Sequence, residues 1–180
     1  MATWNFDSTH TNAAFSARHM MVTTVRGQFD QVTGTLTFDP QNLAAASVEA
    51  TIDATTISTG VGDRDNHLRS ADFLDVANHP TLSFKSTNVE ITGDNTARLT
   101  GDLTIRGTTR PVVIDAEFMG QFKDLYGNQR VAFNGKTKIN REDWGLTWNV
   151  GLEAGGWLVG KEITIELDVQ AILVTEQVPA

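Results

Sequence analysis

Cysteine is absent from the 180 residues. That excludes a disulfide framework and a thiolate nucleophile, and it leaves the redox compartment open. Bases are scarce too: Lys plus Arg number 14 against 22 Asp plus Glu, a net charge of −8. This balance argues against nucleic acid and against anionic membrane surfaces as partners. Long apolar runs are missing. LAAA (43–46) and AILV (171–174) are among the longest, and both fall far short of a bilayer span, so no integral membrane segment is expected. The opening MATWNFDSTH has no basic n-region and no apolar h-region. The expectation is a cytoplasmic protein, or a periplasmic or exported one if a leader was removed.

Catalytic signatures are equally sparse. No G-x-S-x-G elbow occurs. GVGDR (60–64) lacks the Lys-Ser/Thr of a phosphate-binding loop. The four histidines show no H-x-x-x-H spacing, and a metal centre would need at least three converging ligands. Glu142-Asp143 reads as a solvated turn after a strand. Catalytic and metal residues are therefore expected to be none, and no cofactor is required. The length is compatible with one domain over residues 1–180 and a sizeable core.

What is abundant is alternation. In KEITIELDVQAILV, Ile163, Ile165, Leu167, Val169, Ala171 and Leu173 share one face, while Thr164, Glu166, Asp168 and Gln170 share the other. This is the period-two signature of a strand with one wet face. Further inner sets are Leu99, Gly101, Leu103 and Ile105; Val112, Ile114, Ala116 and Phe118; Val131, Phe133, Gly135 and Ile139; and Val48, Ala50, Ile52 and Ala54. Phase changes between Phe29 and Val32, ahead of Leu36, predict a bulge near Asp30-Gln31. A second is expected near Ser86-Thr87-Asn88, since Leu82 and Phe84 are even and Val89 and Ile91 odd. TGDN (92–95) and LYGN (125–128) read as hairpin turns. About eight long strands result, which favours an up-and-down barrel or a sandwich. The many Gly and Ala at inner positions either leave room for one small ligand or are covered by Phe and Trp rings.

One segment breaks the pattern. RDNHLRSADFLDVANHP (64–80) predicts a short helix over about 63–74, with Asp63 as its N-cap and an Asp65–Arg69 pair. His67, Leu68, Ala71 and Leu74 share a face, and Phe73 falls off it. This helix either closes one barrel end or packs on the wall. His19 shares the inward parity of Phe15 and Ala17, so it is either a structural histidine or a partner for a polar head group. His67 carries the same two readings. Trp144, Leu146 and Trp148 alternate, and Trp157 has inward parity; the tryptophans rim a cavity or fill the barrel end.

Five segments taken in order, FSARHMMVTTVRGQF (15–29), GTLTFDP (34–40), DRDNHLRSADFLDVANHPTLSFKS (63–86), GDLTIRGTTRPV (101–112) and NREDWGL (140–146), resemble the successive motifs of the YceI-like family. Its members are lipocalin-like proteins associated with polyisoprenoid binding. The resemblance implies an all-β, elongated, eight-stranded antiparallel barrel with a long, mostly apolar cavity. It also implies a bound amphipathic lipid: an isoprenoid quinone, polyisoprenoid, fatty acid or fatty amide. Many members are exported, and this sequence departs from them in showing no leader. The oligomeric state stays open, a homodimer included. Candidate lumen residues are the inward Phe15, Ala17, His19, Phe29, Leu36 and Ile52. From later strands come Phe84, Leu103, Ile114, Ala116, Phe118, Phe133, Ile139, Ile165 and Val169. The ends would contribute His67, Leu68, Leu74, Trp148 and Trp157. A metal-assisted enzyme using the histidines and a solid structural barrel are the rival readings.

Overall fold

A computed structural model describes residues 1–175. The strands are β1 (Ala2–Phe6), β2 (Asn12–His19), β3 (Thr23–Phe29), β4 (Val32–Phe38), β5 (Ser47–Asp53) and β6 (Ile57–Ser58). They continue as β7 (Thr81–Ile91), β8 (Thr96–Ile105), β9 (Thr108–Lys123), β10 (Gln129–Asn140) and β11 (Val159–Leu173). Every pairing is antiparallel. Three pairs of strands are halves of one interrupted stave. β1 and β2 both pair with β11, at Trp4↔Leu173 and Phe15↔Ile165. β4 pairs with β1 and β3 with β2. β5 lies on β4 and β6 on β3. The result is eight staves, each beside its sequence neighbour, and the β1–β11 pairing closes the ring. Closure removes the sheet edges, except along the short β6, which pairs with β3 alone.

The interruptions at residues 7–11, 30–31 and 54–56 are stitched to their neighbours. Asp53 N–H donates to the Gln31 carbonyl at 2.9 Å. Thr56 Oγ1 accepts from Asp30 N–H at 3.1 Å. Thr11 Oγ1 donates to the Gln170 carbonyl at 3.2 Å. Each break resets the inward phase and lets a long stave bend around the barrel. The two expected phase changes lie at a break between β3 and β4, residues 30–31, where a bulge had been expected, and at a bulge between Ser86 and Asn88. A third was not expected: Gly120 faces Ala132 and Phe118 faces Phe133, so Met119 is the extra residue. Both expected hairpins form, closed by Thr92 N–H to the Thr96 carbonyl and by Asp124 N–H to the Asn128 carbonyl.

The helix, α1 (Gly62–Arg69), is shorter than the expected span 63–74. Asp63 is not its cap: Val61 holds that position and makes no side-chain capping bond. Nor do Asp65 and Arg69 pair. Asp65 accepts from the Thr59 N–H and hydroxyl, and Arg69 donates to the Thr55 and Ile57 carbonyls. Both charges tie the helix to the stave before it. After Arg69, turns carry the chain onward, with Phe73 N–H on the Ser70 carbonyl and Leu74 N–H on the Leu68 carbonyl. That is why Phe73 is off the helical stripe. Phe73 and Leu74 enter a buried cluster with Leu103, Ile105, Val112, Ile139, Trp144 and Leu146. These residues gather where β8 and β10 end and β9 begins, so the segment packs into one end of the barrel. A second cluster around Trp4, Leu36, Phe38, Val131 and Ala171 gathers toward the other end.

Candidate ligand-binding cavity

Between the two clusters the inward side chains do not fill the barrel. Phe15, Ala17, Ala50, Ile52, Phe84, Ala116, Phe133, Ile165 and Val169 have inward parity, yet each keeps part of its surface accessible. In a solid core, alternate residues of a closed barrel would be fully buried. Here they border a partly open space of about 830 Å³ that runs from the helix end to Phe38, Phe118 and Leu43. Its wall is mostly aliphatic and aromatic.

The small inner residues act in two ways. Phenylalanine rings lie over three of the glycines, Phe15 over Gly27, Phe6 over Gly34 and Phe84 over Gly101. Backbone also presses on two of them. A Cβ at Gly101 would meet the Lys85 carbonyl oxygen at 2.6 Å, and one at Gly34 would meet the Glu49 carbonyl oxygen. These glycines therefore admit rings and close backbone packing, and they do not hollow the lumen. The alanines leave the room: Ala17, Ala50, Ala97 and Ala116 all lie on the cavity wall.

Of the candidate lumen residues, Phe15, Ala17, His19, Phe29, Leu36, Ile52, Phe84, Leu103, Ile114, Ala116, Phe118, Phe133, Ile139, Ile165 and Val169 border this space. So do His67, Leu68, Leu74 and Trp148 from the end segments. Trp157 does not. It is 51% exposed and forms an isolated bridge to Gly151 in the loop before β11. Its parity was read back from β11, but the strand begins only at Val159, and pairing with β2 slips between Val159 and Ile163. Alternation does not extend into that loop.

The helix end carries a compact polar and aromatic layer. The His67 ring meets Trp148 edge-on at 4.5 Å and Phe73 at 5.0 Å between centroids. His67 Nε2 lies 2.9 Å from an Asp72 carboxylate oxygen. Trp144 is buried, and its Nε1–H donates to the Leu103 carbonyl at 2.9 Å. His19 sits exposed at the rim. Arg141, only 3% exposed, sits beneath this layer and donates to the carbonyls of Gly160, Leu146 and Val159. Burial pulls its guanidinium below the usual arginine pKa. Arg64 donates to the Thr59 hydroxyl at 2.7 Å and to the Thr59 carbonyl at 3.0 Å. Arg64, Thr59 and Arg141 line the cavity, and sequence reasoning missed all three. Arg64 was assigned to no face of the helix, and Arg141 lies in a turn where periodicity says nothing. His10 and His79 lie away from the cavity; His10 Nδ1 contacts Asp7 at 2.8 Å. Among the described residues no three His, Cys, Asp or Glu side chains converge as a metal-binding group, and no helix is long and apolar enough to cross a membrane.

A closed eight-stave meander with an unfilled apolar lumen defines a lipocalin-like hollow barrel. Residues 4–171 match the model of the YceI-like domain, and the chain belongs to that family. It is 40% identical over 142 residues to a UPF0312 protein of Ectopseudomonas mendocina, covering 79% of this chain and 74% of that one. Among solved structures, Burkholderia cenocepacia BcnA superposes with a TM-score of 0.78 at 22% identity, covering 92% of this chain and 98% of that one. A polyisoprenoid-binding domain of Saccharophagus degradans, implicated in plant cell wall breakdown, gives a TM-score of 0.69 at 12% identity, with 97% and 100% covered. At those identities the two structures speak for the fold.

Proposed function

We propose that this protein binds and carries, or stores, an amphipathic lipid with one long apolar chain, without catalysing a reaction on it. The observation that carries the reading is the set of inward residues left partly accessible around a cavity of about 830 Å³. A space of that size lies within the range of about 300–1,000 Å³ usual for ligand sites. An empty apolar cavity of that size costs stability through lost contacts, so selection for folding alone would favour filling it.

Affinity would come from burial. Each methylene moved from water into an apolar lumen contributes about 0.8 kcal/mol. A long chain thus binds with few polar contacts, and its identity is weakly specified. The likeness to a polyisoprenoid-binding domain supports an isoprenoid chain; fatty acyl chains meet the same wall. The test is organic extraction of gently purified protein followed by mass spectrometry, with titration of delipidated protein by quinones and fatty acids. Stoichiometric hydrophobe or saturable uptake is expected. If neither is seen, the carrier reading fails.

A further inference from the structure

At the helix end the barrel presents apolar side chains to solvent. Met20, Met21 and Val22 in the β2–β3 turn, and Val150 and Trp157 in the loop before β11, each keep between 45% and 76% of their surface exposed. The two loops are stitched together. Met20 N–H donates to the Leu158 carbonyl at 2.8 Å, and Leu158 N–H donates to the Val150 carbonyl at 2.9 Å. The Met21 thioether lies over Gly156. The patch adjoins the cavity, because Arg18 and His19 before the turn and Leu158 in the loop all border the lumen.

Folding does not account for these residues. Met20 and Met21 have φ of 51° and 64°, and Val22 N–H closes the turn on the His19 carbonyl at 3.1 Å. A β-turn with positive φ at both central residues favours Asn-Gly, because most side chains are strained there. Two methionines accept that strain and also stand in water. Acidic charge is withdrawn from the same place. Residues 18–26 hold Arg18, His19 and Arg26 and no acid, and residues 145–158 hold Glu153 as their one charge, in a chain of net charge −8. The five side chains together expose on the order of 500 Å², short of the roughly 800 Å² per partner that a stable protein interface buries. Protruding tips of that size suit a fluid surface that yields around them. Tryptophan and aliphatic side chains seat well at the boundary between lipid head groups and acyl chains.

We propose that this rim docks on the surface of a lipid bilayer. Met20, Met21, Val22, Val150 and Trp157 insert at the level of the head groups, and the adjoining end of the cavity turns toward the membrane. Apolar burial drives the contact, so an uncharged phosphatidylcholine surface suffices. The proposal goes beyond the carrier reading and does not depend on it, since docking and occupancy of the cavity are separate events. A second apolar tip, Leu125 and Tyr126 in the β9–β10 turn, is more exposed still. It stands at the opposite end, and no residue from Phe122 to Arg130 borders the lumen, so it serves as the internal control.

Full-length protein is floated with phosphatidylcholine vesicles at low and high salt, about 20 mM and about 500 mM NaCl. Tryptophan emission is followed with brominated phosphatidylcholine as quencher. Co-flotation is expected, with an affinity that changes less than about twofold between the two salts. Met21→Gln with Trp157→Gln should weaken it by roughly tenfold or more, while melting temperature and uptake of palmitate from a cyclodextrin complex stay at wild-type levels. Trp157→Phe should keep flotation and lose most of the quenching, which locates that side chain in the lipid. Leu125→Gln with Tyr126→Gln should leave flotation unchanged. A wild type that does not float would overturn the proposal, as would flotation untouched by Met21→Gln with Trp157→Gln or abolished by Leu125→Gln with Tyr126→Gln. Binding confined to vesicles containing phosphatidylglycerol and lost at high salt would overturn it too, because the contact would then be electrostatic. So would a wild-type dimer in sedimentation that Met21→Gln with Trp157→Gln dissociates, since the rim would then join two copies of the chain. Flotation without palmitate uptake would support docking and count against the carrier reading; uptake without flotation would do the reverse.

Discussion

Arg130 and Asp7 are 123 positions apart in the chain and 2.6 Å apart in the barrel. Arg130 also donates to Asp124 at 2.7 Å. One guanidinium thereby joins the break between β1 and β2 to the β9–β10 hairpin, across the seam where the ring closes. The arginine side chain and both carboxylates are well sheltered, so this clasp is not a screened surface pair of negligible worth.

The clasp sets the response to acid. Arg130 is the main cause holding both carboxylates below the ordinary range, Asp124 at about 2 and Asp7 lower still. An unfolded Asp titrates at about 3.9. A folded pKa below the unfolded one gives stability that is present above the unfolded value and lost as pH falls through the folded one. Melting temperature should therefore hold between about pH 7 and 5 and fall between about 4 and 2. Asp7→Asn should cost about 1–2 kcal/mol at pH 7 and flatten the acid limb. An acid limb as steep in Asp7→Asn as in the wild type would show that the clasp contributes nothing.

Gly101 lies under the Phe84 ring and 2.6 Å, from where its Cβ would stand, to the Lys85 carbonyl oxygen. Gly101→Ala should destabilise by about 1–3 kcal/mol through overpacking, although alanine is ordinarily tolerated in a strand. Urea denaturation measures it. A second change, Phe84→Leu, should recover part of the loss by vacating the ring position. No recovery would mean that the backbone contact dominates.

The two tryptophans flanking the loop before β11 should behave differently. Trp148 packs edge-on to His67 and within 5.4 Å of Phe73. Trp157 stands mostly in solvent. Trp148→Ala should cost about 3 kcal/mol and loosen the helix end. Trp157→Ala should stay within about 0.5 kcal/mol of the wild type. Equal losses would mean that the loop folds as one unit with Trp157 as a strut.

The staves were legible because parity is a strong signal wherever a strand is regular. Ile163 to Leu173 could be assigned a face residue by residue, and the two phase changes located one strand break and one bulge. What parity could not show is where regularity stops. The break at residues 54–56 was hidden because Ala54 keeps the parity of Ile52. Met119 gave no signal because Gly120 and Gln121 carry no hydrophobic phase to read. Trp157 was misplaced by running alternation past Val159 into a loop. The helix was visible as charge among strands, but its length was not: Asp65 and Arg69 are spaced for each other yet bond β6 backbone and its flanks. Whether the small inner residues meant room or covered glycine had no answer in sequence. The Phe84–Gly101 and Ala116 environments show that both occur in one barrel.

Ala116 tests the hollow directly. It faces Ala97 on one neighbouring strand and Gly135 on the other, so a row of small residues crosses the wall there. The Gly135 position is already covered: a Cβ there would meet Ile114 at 3.1 Å and Leu167 at 3.3 Å. Ala116 keeps accessible surface and borders the lumen. A phenylalanine at Ala116 enters either free space or packed atoms, and the two give opposite readings. In free space Ala116→Phe buries a ring, so the ligand-free protein melts at the same or a higher temperature while uptake of a long-chain lipid falls sharply. In a packed interior the ring overfills the core and costs about 1–3 kcal/mol, which at this chain length lowers melting by roughly 2–12 °C. The expected outcome is the first. A large drop in melting temperature, with lipid uptake at the wild-type level, would show that the lumen at Ala116 is neither open nor the place where the chain lies.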